Sequence, residues 1–179
     1  MNNIIWLIVL LFSLNACKTT KDKHDIVDVN SSVDSSIVIE KCLENGDCTL
    51  KVMKNSSMTI KEDTAGQMYP VIEKGDAIII EYTFSKKGPE GTADGDYSET
   101  LHFSIPNNTK ILYLEDASLQ EVDLLFGKHC FCRGEAGFYK INKGELHIIK
   151  TSKELTIDVT YIVDETTQVT KHFTKTIKL

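Results

Sequence analysis

The sequence has little of what marks a disordered, collagen-like or nucleic-acid-binding chain. Only three of its 179 residues are proline, and 41% are hydrophobic against 26% charged, so an ordinary folded chain is expected. Its 20 Lys and Arg residues are outnumbered by 26 Asp and Glu residues, which gives a net charge of -6. No basic cluster is present that could neutralise phosphates, and this argues against nucleic-acid binding.

Motifs of catalysis and metal binding are also missing. The chain has no Gly-x-Ser-x-Gly, no His-Glu-x-x-His, no phosphate loop and no dinucleotide fingerprint. No two histidines are spaced to share a metal, and His102, His147 and His172 alternate with apolar residues, which predicts solvent-side strand positions. Asp94-Gly95-Asp96 is followed by Leu101 where a calcium loop needs its glutamate. We therefore expect a non-catalytic protein without a metal or cofactor.

β-branched residues are abundant, with 19 Ile, 11 Val and 17 Thr against six Ala, and this bias predicts an all-β protein. Residues 77–85 include a run of three Ile that is apolar on both faces, as in a central strand. Only residues 116–126 show helical spacing, so we expect at most one short helix, with Asp116 as the candidate cap; another strand is the alternative for this segment. Residues 36–179 are predicted to form one antiparallel β-sandwich. An immunoglobulin-like arrangement fits the strand count, although the Cys and Trp pattern of true immunoglobulin domains is missing.

The last strand carries the pattern of a protected sheet edge. Val169, Phe173 and Ile177 alternate with solvent-side residues, and Lys171 and Lys175 fall on the same face as these apolar side chains. Charges that point inward discourage another chain from pairing with an exposed edge. The pattern therefore predicts an edge strand at the C-terminus.

The N-terminus carries the features of a targeting signal. Residues 4–14 are almost uniformly apolar, a run too short for the roughly 20 residues that span a membrane. Leu14-Asn15-Ala16-Cys17 follows and resembles the lipobox of bacterial lipoproteins, in which the cysteine is acylated. The resemblance implies a signal peptide over residues 1–16, a lipid anchor on Cys17 and a flexible tether up to residue 35. It also implies the outer membrane of the cell envelope, with the periplasmic or surface face left open.

The other four cysteines form an even set, which in an envelope protein predicts disulfides. If residues 44–46 are a three-residue loop, Cys42 lies directly opposite Cys48 and the two can bond across a hairpin. Cys130 and Cys132 would lie about 6.6 Å apart on a strand, so a bond between them needs a bend. The alternative pairing joins Cys42 and Cys48 to Cys130 and Cys132. A redox pair at Cys130 and Cys132 is a further interpretation of the same residues.

The most unusual stretch is residues 126–139, which hold two Cys, three Gly and four aromatic residues. Glycines beside aromatic residues in a strand-rich region mark close backbone approach, core packing or a contact surface. The stretch Phe-Gly-Lys-His-Cys-Phe-Cys-Arg-Gly is also similar to one in small uncharacterised lipoproteins of Gram-negative envelopes, a resemblance that implies a location and no activity. The predicted contact surface comprises Phe126, Phe131, Arg133, Phe138 and Tyr139.

Asp63-Thr64-Ala65 resembles the short sequence that some Gram-negative bacteria glycosylate, with Thr64 as the acceptor, and a plain turn before Gly66 is the alternative. Taken together, these features predict a membrane-anchored binding or structural module of the envelope with an unknown protein partner. An inhibitor or accessory subunit of an envelope complex is the second hypothesis. A thiol-redox or hydrolytic enzyme is the third.

Overall fold

The computed structural model describes residues 35–42, 46–92 and 94–179, so the predicted signal peptide, Cys17 and most of the tether lie outside the described residues. Eleven strands and one 3₁₀ helix follow one another in this part of the chain. The predicted all-β fold with one short helix is confirmed. The elements are β1 (Ser35–Lys41), β2 (Asp47–Glu62), β3 (Met68–Lys74), β4 (Ala77–Lys86), β5 (Tyr97–Pro106), β6 (Ile111–Glu115), the 3₁₀ helix (Asp116–Val122), β7 (Leu125–His129), β8 (Gly137–Lys140), β9 (Gly144–Lys150), β10 (Glu154–Tyr161) and β11 (His172–Lys178).

The strands form two antiparallel sheets. The larger has seven strands in the order β1-β2-β4-β5-β7-β8, with β3 paired to the second half of β2. The smaller has the order β11-β10-β9-β6. Both sheets place strands side by side in chain order, as meanders do, rather than in the Greek-key order of an immunoglobulin domain. β4 is a central strand and β11 an edge strand, as the sequence patterns predict.

The main core lies between the sheets and follows from the alternation of side chains along each strand. The larger sheet curls so that β3 approaches β8, and this closes a second, smaller apolar cluster around Ile79, Met53 and Met58 on its other face. The apolar run in β4 is buried on both faces for this reason. Fully buried members of the main core include Phe84, Leu101, Phe103, Phe126, Leu146, Ile148, Leu155, Ile157 and Val159.

The curl also corrects one prediction about the histidines. His147 and His172 are exposed, as expected, with about half of each side chain accessible. His102 is only 5% exposed, because it faces the enclosed side of the curled sheet rather than solvent. Its Nε2 lies 3.6 Å from a carboxylate oxygen of Glu81.

The β1–β2 hairpin pairs differently from the prediction. Lys41 lies opposite Asp47, and the N–H of Cys42 donates to the carbonyl of Gly46 at 3.3 Å, so Gly46 pairs with Cys42 and does not belong to the three-residue loop predicted at residues 44–46. The ring of Phe84 packs on Gly46 and leaves no room for a side chain there. A Cβ at Gly46 would lie 2.4 Å from that ring. Cys42 is therefore diagonal to Cys48 on one face, not directly opposite it.

The 3₁₀ helix has a different cap from the predicted Asp116. The hydroxyl of Ser118 accepts a hydrogen bond from the N–H of Glu115 at 2.8 Å and donates to its carbonyl at 2.7 Å. Asp116 has a positive φ of 48°, and its carboxylate accepts a hydrogen bond from the N–H of Gly144 at 3.1 Å. It therefore ties the helix to the start of β9 instead of capping it.

Candidate functional site

The four cysteines form two local disulfides, one at each of two hairpins. Cys42 bonds to Cys48 with their Cα atoms 5.7 Å apart, and Cys130 bonds to Cys132 with their Cα atoms 5.2 Å apart. A bend in the chain just after β7 brings Cys130 and Cys132 together. The sequence predicts that a bond between these two cysteines needs such a bend. The alternative, long-range pairing is not formed.

The Cys42–Cys48 disulfide belongs to the core. Cys48 is 1% exposed, and its Sγ accepts a hydrogen bond of 2.8 Å from the hydroxyl of Tyr82. Tyr82 in turn stacks on Phe173 of the smaller sheet, with ring centroids 4.2 Å apart. The disulfide thus helps to join the first hairpin to the packing between the two sheets.

The Cys130–Cys132 disulfide closes a surface loop between β7 and β8, which we call the tip (residues 130–135). Phe131, between the two cysteines, is 88% exposed, and Arg133 is also exposed. The turn that follows is closed by a 3.3 Å hydrogen bond from the N–H of Glu135 to the carbonyl of Cys132, with Gly134 at a φ of 77°. The tip therefore presents one large aromatic side chain and one cation on a short, covalently closed loop.

Two surface cavities adjoin the tip. A cavity of about 370 Å³ is formed by residues 130–133 themselves. A second, of about 570 Å³, lies between the tip and the β4–β5 connection and includes Phe131 and His129. On its far wall Lys87 donates to Asp96 at 2.7 Å, and this hydrogen bond lowers the pKa of Asp96 and raises that of Lys87. The surroundings of Phe131 are thus concave and carry charges of both signs.

Below the tip lies a charged side chain in a core position. Lys128 follows the core residue Phe126 by two positions on β7 and is only 3% exposed. Its ammonium donates to the carboxylate of Glu135 in the tip, and to the hydroxyl of Thr167 at 2.6 Å and its carbonyl at 3.0 Å. The ion pair lowers the pKa of Glu135, with the hydrogen bond from Lys128 as the largest cause. Lys128 thus links the tip to the β10–β11 connection.

A second buried charge lies opposite the first. Glu99 of β5 pairs in register with Lys128 and is 1% exposed. Its carboxylate accepts hydrogen bonds from the N–H of Val169 at 2.6 Å and from both the N–H and the hydroxyl of Thr170, at 2.7 and 2.6 Å. The hydroxyl of Thr170 also bonds to that of Tyr161 at 2.7 Å, and burial raises the pKa of Tyr161. We call Glu99, Lys128, Glu135, Thr167 and Thr170 the polar cluster; its members Glu99, Lys128 and Thr170 are buried, whereas Glu135 and Thr167 lie at the surface.

Gly127 and Phe138 support the tip from the other face of the sheet. A Cβ at Gly127 would lie 2.6 Å from the ring of Phe138 and 2.4 Å from the hydroxyl of Thr100, so only glycine allows the ring to lie there. Phe138 also meets His129 edge-on at 5.3 Å. Burial, and then the nearby His102, lower the pKa of His129.

The predicted contact surface is thus only partly a surface. Phe131 and Arg133 are exposed on the tip, whereas Phe126 is fully buried because its strand position faces the core between the sheets. Phe138 and Tyr139 are half-buried, and the hydroxyl of Tyr139 donates to the carbonyl of Glu135 at 2.8 Å. Tyr139 therefore contacts the tip from below, and of the predicted contact surface only Phe131 and Arg133 are exposed.

The polar cluster is not among the sites predicted from the sequence, although the sequence carries a signal for part of it. Lys128 has the strand parity of Phe126, and Glu99 has that of Leu101, so both charges fall on core-facing positions. Charged residues at such positions are rare unless they are paired. The alternation of core-facing and solvent-facing positions along the strands is enough to identify Lys128 and Glu99. It cannot identify Glu135 or Thr170, because these residues lie in loops whose positions the strand pattern does not predict.

Thr64 is exposed in the turn between β2 and β3, where the carboxylate of Asp63 accepts hydrogen bonds from the N–H groups of Ala65 and Gln67 at 2.8 and 2.9 Å. Its glycosylation stays a prediction. Across the described ranges, no group of three or more His, Cys, Asp or Glu side chains is arranged to hold a metal ion.

No protein-family model, curated protein or solved structure matches this chain. Within the part of the chain that the structure describes, no helix is both long and apolar enough to cross a membrane.

Proposed function

We propose that this chain is a lipid-anchored module of the bacterial cell envelope that binds a protein partner through the tip and performs no catalysis. The anchor is inferred from the lipobox-like Leu14-Asn15-Ala16-Cys17. The binding role is carried by one observation: an 88% exposed Phe131 on a disulfide-closed tip. Aromatic residues and Arg are the side chains that most often dominate the energy of protein interfaces.

Preorganisation supports this role. A binding loop that is already ordered loses less conformational entropy when its partner arrives. The tip is ordered by its disulfide, by the ion pair between Lys128 and Glu135, and by the hydrogen bond from Tyr139 to the Glu135 carbonyl. A partner that covers Phe131 would remove its exposed apolar surface from water, and the closed loop already holds the side chain in place for that contact.

The test is capture from detergent-solubilised envelopes with the full-length protein. The change is Phe131→Ala, and Tyr69→Ala is the matched control because Tyr69 is an exposed aromatic residue outside the tip. Loss of a central aromatic contact of about 2 kcal/mol or more should weaken capture of the partner roughly 30-fold, with the control unchanged. Equal capture by both variants would remove the tip from the proposal.

The anchor is tested separately with Cys17→Ala. Without acyl chains the protein loses roughly 0.8 kcal/mol of membrane affinity for each methylene that would have been buried. We expect the variant in the soluble periplasmic fraction and the wild type in the membrane fraction. A variant that remains with the membrane would contradict the lipid anchor but would leave the binding role of the tip open to its own test.

The identity of the captured partner separates the remaining hypotheses. An envelope enzyme or a larger envelope complex would favour the inhibitor or accessory-subunit role. A thiol-redox enzyme instead requires that Cys130 and Cys132 cycle between disulfide and thiols. Alkylation of protein taken directly from envelopes distinguishes this case, because a redox enzyme would show modification of both cysteines and a binding module would not.

A further inference from the structure

Among the described strands β6 pairs only with β9, and we call its other side the open edge. We propose that this open edge is an interface between two copies of this chain, which pair their β6 strands antiparallel and join their four-stranded sheets into one. The inference concerns a surface formed by residues 109–115 and does not depend on the tip or on the lipid anchor. Three features of the edge carry it: the direction of its backbone groups, its lack of inward charge and its self-complementary register.

The direction of the backbone groups follows from one hydrogen bond. The N–H of Lys150 on β9 donates to the carbonyl of Lys110 at 2.7 Å. In an antiparallel pair the N–H and C=O of alternate residues point to the same neighbour. The groups of Leu112 therefore point to β9, and those of Ile111 and Tyr113 point to the open edge.

Beyond Tyr113 the edge is closed. The N–H and carbonyl of Glu115, which have the same parity, are already hydrogen-bonded to the hydroxyl of Ser118 at 2.8 and 2.7 Å. Pairing is thus confined to a short stretch, and this limits the registers that a partner strand can adopt.

The side chains of this edge differ from those of the other edge of the same sheet. β11 places Lys175 between Phe173 and Ile177 on its core-facing side, which discourages pairing. β6 has no charge between Ile111 and Leu114, and Ile111 and Tyr113 are 77% and 50% exposed. Ile149 of β9 lies opposite Ile111 and is 53% exposed, so the apolar surface extends across two strands.

One register satisfies all of these features. Placing Leu112 on the twofold axis sets Ile111 of each copy opposite Tyr113 of the other. Their outward N–H and C=O groups then form four inter-chain hydrogen bonds, and the two side chains form an aromatic–β-branched pair on the solvent face. A one-residue slip would exchange the two faces of the strand. Centring on Tyr113 would instead require the backbone groups of Glu115, which Ser118 already uses.

The charges at the ends of the edge fit the same arrangement. Lys110 precedes β6, and Glu115 and Asp116 end it. Antiparallel pairing of two copies places the Lys110 end of each beside the acidic end of the other. Opposite charges at both ends favour this antiparallel pairing of identical edges over a parallel one.

The first experiment measures the mass of the full-length protein by sedimentation in detergent. We expect a dimer that dissociates on dilution. Tyr113→Pro removes a donor that faces only the open edge, where proline is tolerated, so the fold should persist by circular dichroism. Each copy loses an inter-chain hydrogen bond, so the dimer should weaken at least about tenfold. The control is Ile162→Ala, which removes an exposed apolar side chain outside β6 and should leave the affinity of the dimer unchanged. A wild type that is monomeric up to about 1 mM, or a Tyr113→Pro variant that dimerises equally, would overturn the proposal.

The second experiment tests the register with cysteines introduced at exposed positions of β6, where the substitutions should not disturb folding. Ile111→Cys and Tyr113→Cys chains are prepared separately, and then mixed under mild oxidation. Ile111 of one copy and Tyr113 of the other would have Cα atoms roughly 5.5 Å apart, within disulfide range, whereas identical positions would be roughly 8 Å apart. The mixture should form a covalent dimer and each variant alone should not. Cross-linking of either variant alone, or none in the mixture, would contradict this interface and would leave the edge to an extended segment of another protein.

Discussion

Each of two hairpins contains a disulfide, but the two disulfides have different surroundings and different roles. Cys42–Cys48 is packed into the core, where Cys48 is 1% exposed and bonded to the Tyr82 hydroxyl. Cys130–Cys132 lies at the surface and presents Phe131, which is 88% exposed. The first disulfide adds stability to an apolar core, and the second shapes a loop whose anchoring comes from charges beneath it.

This difference shows where the second hairpin obtains its rigidity. Lys128 and Glu99 occupy core-facing positions and hold the tip and the β10–β11 connection through hydrogen bonds. Buried charges are costly to place and costly to disturb. The polar cluster, rather than the Cys130–Cys132 bond, should therefore dominate the stability of this end of the sandwich.

The largest effect is expected for Glu99→Ala. It leaves the N–H groups of Val169 and Thr170 without their acceptor and removes the negative charge opposite Lys128. Unsatisfied buried groups of this kind should lower the free energy of unfolding by about 3–5 kcal/mol, as measured by urea denaturation. The control, Glu121→Ala, removes an exposed carboxylate and should change it by less than about 0.5 kcal/mol. A Glu99→Ala loss as small as that of the control would show that the cluster does not hold this end of the fold.

The part of the fold that could be predicted from the sequence is the part governed by local pattern. The alternation in β10 and β11, the central β4 and the inward Lys175 of the edge strand all follow from side-chain period. The burial of His102 could not be predicted, because it depends on a sheet curl that brings distant strands together. Likewise, Phe126 and Phe131 are both aromatic residues near glycines, and only strand parity and the bend after β7 separate a core residue from an exposed one.

The next effect concerns the core disulfide. The double change Cys42→Ala and Cys48→Ala releases a short hairpin and removes the sulfur that accepts the Tyr82 hydrogen bond. Loss of the cross-link should lower the free energy of unfolding by about 2–3 kcal/mol, measured by the same denaturation. The matched comparison is the other cysteine pair in the same chain. If both pairs cost the same, the distinction between a core disulfide and a surface disulfide fails.

For the surface disulfide we expect a small effect on stability and a large effect on binding. Cys130→Ala with Cys132→Ala opens a loop with one intervening residue, and the polar cluster still holds its base. The free energy of unfolding should fall by no more than about 1.6 kcal/mol, less than for the core pair. Capture of the partner should fall nonetheless, because Phe131 is no longer held in place. Unchanged capture would mean that the disulfide does not organise the contact surface.

The smallest effect is a pH dependence that originates in the ion pair below the tip. The hydrogen bond from Lys128, and then that from Thr167, hold the pKa of Glu135 below its ordinary value of 4.5. Because the folded pKa is the lower one, the ion pair stabilises the fold above the unfolded pKa, and this contribution is lost as the pH falls through the folded pKa. Glu135→Gln keeps an acceptor for Lys128 and Thr167 but removes the charge. Unfolding midpoints from about pH 7 to about pH 3 should therefore fall less steeply for the variant than for the wild type.

Other carboxylates with lowered pKa values, such as Asp158, titrate equally in both proteins, so only the difference between the two curves reports Glu135. Parallel curves would show that the bond between the tip and Lys128 does not depend on the charge of Glu135, and that the tip is held by its hydrogen bonds and its disulfide alone.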